Sequence, residues 1–241
     1  FAPSSVPTVS APFIMNFMLP VPEASLPAVE ICSDRSAAGM MISASEIVGH
    51  PGGVAGGVCA VRDSGLAVTG LETLRDFEGL DGRLHDYKVD VAKSMLELCQ
   101  ELGGRLLIVE ASTSSHANTN ADEIIRDLRT LAILAIPKGV RIAFKGVSWS
   151  RTARNFALAG EFVLLANCRN LGLAIDAFDI IGAQVPLEDL DAIDPEQIFV
   201  IDEALLADAG ELRLQLFRVR LDGKRAHLHE VAERVGTRFG G

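Results

Sequence analysis

The stretch RIAFKGVSW, residues 141–149, reads as a β-strand with a lysine in its middle. The apolar residues on either side of Lys145 are those of a parallel strand that is covered on both faces. Burying an unpaired ammonium is costly, because the charge loses its hydration. The stretch therefore predicts a strand inside an α/β fold, and a lysine that has either a partner or a chemical role.

Runs of the same apolar character recur along the chain and alternate with amphipathic helix patterns, as expected of βαβ units. The predicted strands cover residues 5–10, 28–32, 66–72, 105–112, 140–147, 171–179, 197–205 and 214–221. The clearest helices cover residues 85–104, 120–139, 155–170 and 227–239, with Asn120 as the expected N-cap of the second.

Eight strands with intervening helices predict a single-domain (β/α)8 TIM barrel over residues 1–241, with right-handed crossovers. The alternative is an open doubly wound sheet, which normally has a glycine-rich turn directly after its first strand. The segment HPGGVAGGVCA, residues 50–60, does not directly follow a predicted strand. We interpret it as a turn that opens a helix toward Asp63 rather than as a phosphate-binding loop.

The composition narrows the class of partner. The chain is 49% hydrophobic and only 5% aromatic, as in helices packed over a parallel sheet. Its formal net charge is −10, and the nearest approach to a basic run, RVRLDGKR at residues 218–225, fits a strand end with a solvated turn. Since a nucleic-acid groove needs Lys and Arg to neutralise phosphates, we expect a small-molecule ligand and no nucleic acid.

The cysteines indicate a reducing compartment. Cys32, Cys59, Cys99 and Cys168 are scattered and form no C-x-x-C pair, as is typical of reduced, buried thiols in the cytoplasm. No apolar run reaches the roughly 18 residues of a membrane helix, and the first residues lack the positive segment of a signal peptide. We expect a cytoplasmic protein without membrane contact, and we leave a homo-oligomer open.

Several segments together resemble the xylose isomerase-like barrels, a group of sugar-phosphate isomerases and epimerases, and within it the 3-dehydroshikimate dehydratases. LETLRDFEGLDG, residues 71–82, is similar to the third-strand loop of the dehydratases, in which R-D-F-E-G is characteristic. AVEIC at 28–32 is similar to the second strand. VRIAFKGVSWSRTARNF and NLGLAIDAFDI resemble the fifth and sixth strands, and PEQIFVIDEAL is similar to the seventh.

The resemblance implies a barrel whose C-terminal end binds a divalent metal, Mg²⁺ or Mn²⁺, and a small polyhydroxylated or cyclic keto acid. In the family the metal ligands are a Glu, an Asp, a His or Gln, and a Glu, one from the end of each of strands five to eight. Such a metal stabilises the enolate that forms when a proton leaves a carbon next to a carbonyl.

This chain departs from the implied ligand set. Lys145 stands at the first ligand position, where the family has a glutamate, and Asp176 keeps the second. Asp202, also a candidate substrate contact, falls near the third, or Glu203 if the alignment shifts by one; near the fourth lies only Asp222. Because an ammonium beside one retained aspartate is a poor site for a divalent cation, we predict that no metal or other cofactor binds.

Three readings of Lys145 are open. In the first it pairs with Asp176 on the neighbouring strand, because parallel strands lie about 4.8 Å apart and side chains of one layer meet. In the second it is catalytic, either as a Schiff-base nucleophile with a lowered pKa or as a fixed cation for a substrate. In the third the alignment is wrong and Lys145 faces the helices.

Arg75 and two glutamates are further candidates. Arg75 is similar to an arginine that looks like a carboxylate clamp in the relatives, and its planar guanidinium suits that role. The alternative is a structural ion pair of Arg75 with Asp76 or Glu78. Glu30 and Glu110 end predicted strands, where the active sites of barrels are built, and either is a candidate general base or a helix-capping carboxylate.

The segment that carries the family's fifth to seventh strands has no histidine. No histidine lies between His116 and His227, and Asp179 and Thr152 stand where histidines are common in the family. His116, in the polar loop STSSHANTN, is either a substrate contact or a solvated loop residue. Trp149 follows the family's fifth strand and either forms a wall of the pocket or packs against the barrel.

Two functional classes are open. The first is an enzyme, a dehydratase or an isomerase, that removes a proton next to the carbonyl of a keto acid. Glu30 or Glu110 would be its base, Arg75 would hold a carboxylate, and Lys145 would supply the positive charge of the usual metal. The second is a degenerate barrel that binds a ligand or a partner without turnover, since its metal ligands are largely lost.

Overall fold

The computed structural model of the chain describes residues 39–176, 179–180 and 187–202. In these ranges every strand pairs in parallel with the next strand along the chain, in one six-stranded sheet. The strands are β1 (Met40–Ser43), β2 (Val68–Arg75), β3 (Leu106–Glu110), β4 (Arg141–Lys145), β5 (Leu171–Asp176) and β6 (Ile198–Asp202). The helices are α1 (Ala44–Val48), α2 (Gly53–Asp63), α3 (Gly82–Glu101), α4 (Ala121–Ala135) and α5 (Phe156–Ala166).

This sequential order of parallel strands with helices between them is that of a TIM barrel, and the predicted fold class is confirmed. The five predicted strands that overlap the described ranges are observed there as β2 to β6, with shifted ends. The predicted strands 5–10, 28–32 and 214–221 and the predicted helix 227–239 lie outside those ranges. β1 was not predicted, because a run of four residues is too short to show a strand period.

The predicted helices are present with shifted ends. α3 begins three residues before the predicted start at 85, and α4 gives way to a 3₁₀ turn, Ile136–Lys138. Asn120 caps α4 as expected, since its side chain accepts a hydrogen bond of 3.0 Å from the backbone N–H of Asp122. The glycine-rich segment opens α2, which ends at Asp63 as predicted.

The two faces of the sheet have different neighbours. Leu107 and Val109 of β3 belong to the large core between the sheet and the helices, whereas Leu106 and Ile108 belong to a smaller cluster. Because side chains of a strand alternate between its faces, this smaller cluster is the interior of the barrel. Its members are Met41, Leu106, Ile108, Ala143, Ala174, Phe199 and Val200.

Thiols and membrane contact can be assessed within the described ranges. Cys59, Cys99 and Cys168 are free thiols there; Cys99 is buried as expected, whereas Cys168 is half-buried and Cys59 is exposed. Of the helices in the same ranges, none is both long enough and apolar enough to cross a bilayer.

Candidate active site

The interior face continues into charged residues at the C-terminal ends of three neighbouring strands. Glu110 follows Leu106 and Ile108 at two-residue spacing, and Lys145 and Asp176 extend β4 and β5 in the same way. The register pairs Arg75 with Glu110 and Glu110 with Lys145. Since barrel enzymes build their active sites at this end, this row of charges is the candidate active site.

Lys145 is held by carboxylates. Its Nζ donates a 2.6 Å hydrogen bond to Oδ2 of Asp176 and lies 3.8 Å from Oδ2 of Asp179. Burial alone would lower the pKa of Lys145, but the hydrogen bond and charge of Asp176, with the charges of Asp179 and Glu110, outweigh it and raise that pKa. The ammonium is therefore kept protonated, and the first of the three readings, an ion pair with Asp176, is confirmed.

Asp179 is a member of the cluster that we did not predict. Its side chain is 6% exposed, and its Oδ1 accepts a 3.2 Å hydrogen bond from the backbone N–H of Ser148. Burial raises the pKa of Asp179, although the N–H of Ser148 and the charge of Lys145 oppose this effect. Its place three residues after Asp176, where a histidine is common in the family, was the signal that could have identified it.

Arg75 and Glu110 form the second ion pair of the row. Nε of Arg75 donates to Oε2 of Glu110 across 2.7 Å. The Arg75 side chain is 69% exposed, whereas that of Glu110 is only 15% exposed. The alternative in which Arg75 pairs with Asp76 or Glu78 is wrong, because both carboxylates accept hydrogen bonds from the loop after β3 instead.

Three other predicted site residues, His116, Trp149 and Asp202, lie within the described ranges. His116 and Trp149 are exposed, and the 59% exposure of Trp149 contradicts the reading in which it packs against the barrel. Asp202 pairs in register with Asp176 at the end of β6. Glu30, and likewise Glu203 and Asp222, lie outside the described residues.

The described donor set does not suit a divalent metal. Lys145 occupies the first implied ligand position, and its ammonium competes with a metal cation for Oδ2 of Asp176, at the second position. An ammonium next to a bound divalent ion adds repulsion between two positive charges. Within the described ranges, no three His, Cys, Asp or Glu residues are arranged to hold a metal ion.

The chain is similar in sequence to curated enzymes. It is 29% identical over 159 residues to a 3-dehydroshikimate dehydratase of Pseudomonas aeruginosa, covering 66% of this chain and 24% of the relative. It is 29% identical over 149 residues to an inosose isomerase of Bacillus licheniformis, covering 59% of this chain and 54% of the relative. The chain thus spans about a quarter of the dehydratase and about half of the isomerase.

Solved structures share the fold. A fusion protein of a xylose isomerase-like TIM barrel and a 4-hydroxyphenylpyruvate dioxygenase superposes with a TM-score of 0.63 at 25% identity, covering 68% of this chain and 26% of that one. The IolI protein, solved with a bound zinc atom, gives a TM-score of 0.55 at 22% identity, covering 66% and 60%. The family described as xylose isomerase-like TIM barrel matches residues 29–212, about three quarters of this sequence. The chain therefore belongs to the xylose isomerase-like TIM barrel family.

Proposed function

We propose that this barrel binds a small polyhydroxylated or cyclic keto acid and removes a proton next to its carbonyl, as a dehydratase or an isomerase does. The observation that carries the proposal is the partly buried ammonium of Lys145 at the C-terminal end of β4, held protonated by Asp176. The sequence similarity to a dehydratase and an isomerase supports the same class of reaction.

Lys145 is the electrophilic group in this proposal. A positive charge fixed next to a carbonyl oxygen stabilises the enolate that develops when the neighbouring carbon loses its proton. A metal usually supplies that charge, and here a protein ammonium would supply it. A Schiff base at Lys145 is disfavoured, because the raised pKa leaves little free amine to attack a carbonyl.

Glu110 is the proposed base, and Arg75 is the proposed carboxylate clamp. In the free protein Nε of Arg75 is paired with Oε2 of Glu110, at 2.7 Å. A substrate carboxylate that binds the exposed guanidinium would compete for this cation and release Glu110 to accept a proton. Glu30 stays a second candidate base, and contacts of Asp202, Trp149 and His116 with the substrate stay predictions.

A catalytically inactive barrel is the second candidate, and one observation favours it. The charge of Lys145 is already opposed by Asp176 and Asp179, so the ammonium has less potential to offer a substrate than a free cation has. Such a barrel would bind a ligand or a partner protein without turnover.

The deciding experiment measures the dehydration of 3-dehydroshikimate through the absorbance of its catechol product, in the presence of a chelator. We expect turnover that the chelator does not reduce. The variant Glu110→Gln should lose about 10²–10⁴-fold in rate, since it cannot take a proton. Lys138→Met, which breaks a 3.2 Å ion pair with Glu97 away from the site, is the control.

Three other results would change the assignment. Turnover that requires added Mn²⁺ would contradict the role of Lys145 as the cation. Saturable binding of keto acids without conversion of any of them would favour the inactive barrel. Trapping of a Lys145 adduct by borohydride would replace the fixed-cation role with a Schiff base.

A further inference from the structure

The loop that follows β2 carries two carboxylates, Asp76 and Glu78, that bind the loop after β3. Oδ1 of Asp76 accepts hydrogen bonds from the backbone N–H groups of Thr113, at 2.8 Å, and Ser114, at 2.9 Å. The hydroxyls of Ser112 and Thr113 donate to the same oxygen, at 3.3 and 3.2 Å. Burial alone would raise the pKa of Asp76, but these bonds and the charge of Lys88 outweigh it and lower that pKa.

The backbone at Asp76 is in the left-handed region, with φ of 54°. Aspartate and asparagine tolerate this region better than other residues with a Cβ. Nζ of Lys88 donates a 2.7 Å hydrogen bond to the backbone carbonyl of Arg75. The chain is thus anchored directly after the arginine of the candidate site, by a side chain of α3 and by two amides of the loop after β3.

Glu78 adds a buried anchor two residues further on. Its Oε1 accepts hydrogen bonds from the backbone N–H of Ser112 and from the hydroxyl of Thr152. The hydroxyl of Ser150 donates to the carbonyl of Ser112 at 2.9 Å. Ser112 therefore joins the loops after β2, β3 and β4, and it lies only two residues beyond Glu110.

We propose that Asp76 is a positioning residue that holds Arg75 opposite Glu110, a role that rests on the proposed function of that pair. Arg75 is 69% exposed, so its own side-chain packing does not fix its direction. Two rigid parts of the chain therefore set the direction of Arg75. They are the backbone on its C-terminal side and the end of β3, which carries Glu110. Asp76 connects both, because it is bonded to Arg75 in sequence and to the segment 112–114 through its carboxylate.

The experiment compares Asp76→Gly with Asp76→Asn by NMR of arginine side chains. Glycine adopts a positive φ readily but lacks the acceptor oxygen of Asp76. Asparagine tolerates a positive φ and also keeps an acceptor oxygen. In Asp76→Gly we expect the Nε–H signal of Arg75 to move toward that of a solvated arginine and its hydrogen exchange to speed up about 10-fold or more. Asp76→Asn should stay close to the wild type. Arg75→Lys assigns the signal by removing it.

The internal control is Arg129, whose Nε donates a 3.0 Å hydrogen bond to the carbonyl of Ala166. Its signal should not change in Asp76→Gly. An unchanged Arg75 signal would overturn the proposal. An equal change at Arg129 would overturn it too, because the loss would then be one of general packing.

Kinetics separate this inference from the proposed function. With 3-dehydroshikimate, Asp76→Gly should raise KM about 10-fold, and this effect should largely vanish in an Arg75→Gln background. Additive effects of the two substitutions would contradict the positioning role. If no keto acid is turned over while the NMR result holds, the proposed function fails and the positioning of Arg75 by Asp76 stands.

Discussion

Lys145 reaches one layer beyond its register partner to meet Asp176. The strand pairing places Lys145 beside Ala174, yet its Nζ lies 2.6 Å from Oδ2 of Asp176, two residues further along β5. The lysine stem thus runs toward the C-terminal end of the barrel. Its ammonium lies near two carboxylates, that of Asp176, the last residue of β5, and that of Asp179, three residues later. This arrangement makes Lys145 important for the stability of this part of the barrel mouth.

Lys145→Met should destabilise the fold by about 2–3 kcal/mol, because it leaves Asp176 and Asp179 partly buried without their cation. Urea unfolding near neutral pH measures the loss. Since the folded-state pKa of Lys145 is raised, its contribution is complete below its ordinary value of 10.5 and is lost as pH rises through the folded-state pKa. The deficit of the variant should therefore shrink at strongly alkaline pH.

The control for this prediction is Lys138→Met. Lys138 pairs with Glu97 at 3.2 Å, but their side chains are 30% and 65% exposed. Exposed pairs contribute about 0–1 kcal/mol, so this variant should unfold close to the wild type. Equal losses in both variants would contradict the importance of the buried cluster.

Replacing the ammonium by a carboxylate should create a divalent cation site. Lys145→Glu removes the cation and adds oxygen ligands next to Asp176 and Asp179. Calorimetry with Mn²⁺ should then detect binding in this variant, but not in the double variant Lys145→Glu with Asp176→Asn. Stoichiometric Mn²⁺ binding by the wild type that Asp176→Asn abolishes would refute the role of Lys145 as the cation of the site.

Much of the fold follows from hydrophobic pattern alone. The strands β3 to β6 carry continuous apolar runs because both of their faces are covered, and this leaves a clear signal in one sequence. The strand Met40–Ser43 left no such signal, since its two inward and two outward positions are too few for a period. Its place in the sheet depends on pairing with β2, a tertiary contact.

The candidate site was predictable where neighbouring strands fix the contact. Lys145 and Asp176 end adjacent strands, so strand spacing predicts that they lie close together, although their ion pair joins positions two residues out of register and not side chains of one layer. The partner of Arg75 was not predictable in this way. Asp76 and Glu78 are nearer to Arg75 in sequence, but their oxygens accept hydrogen bonds from backbone N–H groups of the segment 112–114. Which donor a carboxylate binds depends on the tertiary structure.

Glu78→Gln should change how stability depends on pH. Glu78 is fully buried, and this burial raises its pKa above the ordinary value of 4.5, although the Thr152 hydroxyl and the Ser112 N–H favour the charged form. Because the folded state then holds the proton more tightly, the wild type loses stability as pH rises from about 4.5 through the folded-state pKa. The variant resembles the protonated form and lacks this loss.

The measurement is the difference in unfolding free energy between Glu78→Gln and the wild type, from about pH 4 to about pH 8. As the pH rises over this window, the unfolding free energy of the variant should increase relative to that of the wild type, by up to about 1.4 kcal/mol per pH unit. Glu97→Gln, at an exposed position, controls for the loss of one negative charge. A difference that does not vary with pH would mean that Glu78 has the same affinity for its proton in both states.

Gly146→Ala should disturb the position of Lys145, whereas Gly160→Ala should stabilise the fold. A Cβ at Gly146 would lie 2.3 Å from the backbone carbonyl oxygen of Asn155, so the end of β4 or the start of α5 must move. We expect a loss of about 1–3 kcal/mol, with a weaker Lys145–Asp176 ion pair.

At Gly160, inside α5, the nearest atom is Cδ1 of Leu173 at 3.5 Å, an ordinary contact, and alanine favours the helix by about 1 kcal/mol. Urea unfolding of the two variants checks the opposite signs, and a stabilised Gly146→Ala would show that the backbone of Asn155 does not limit the end of β4.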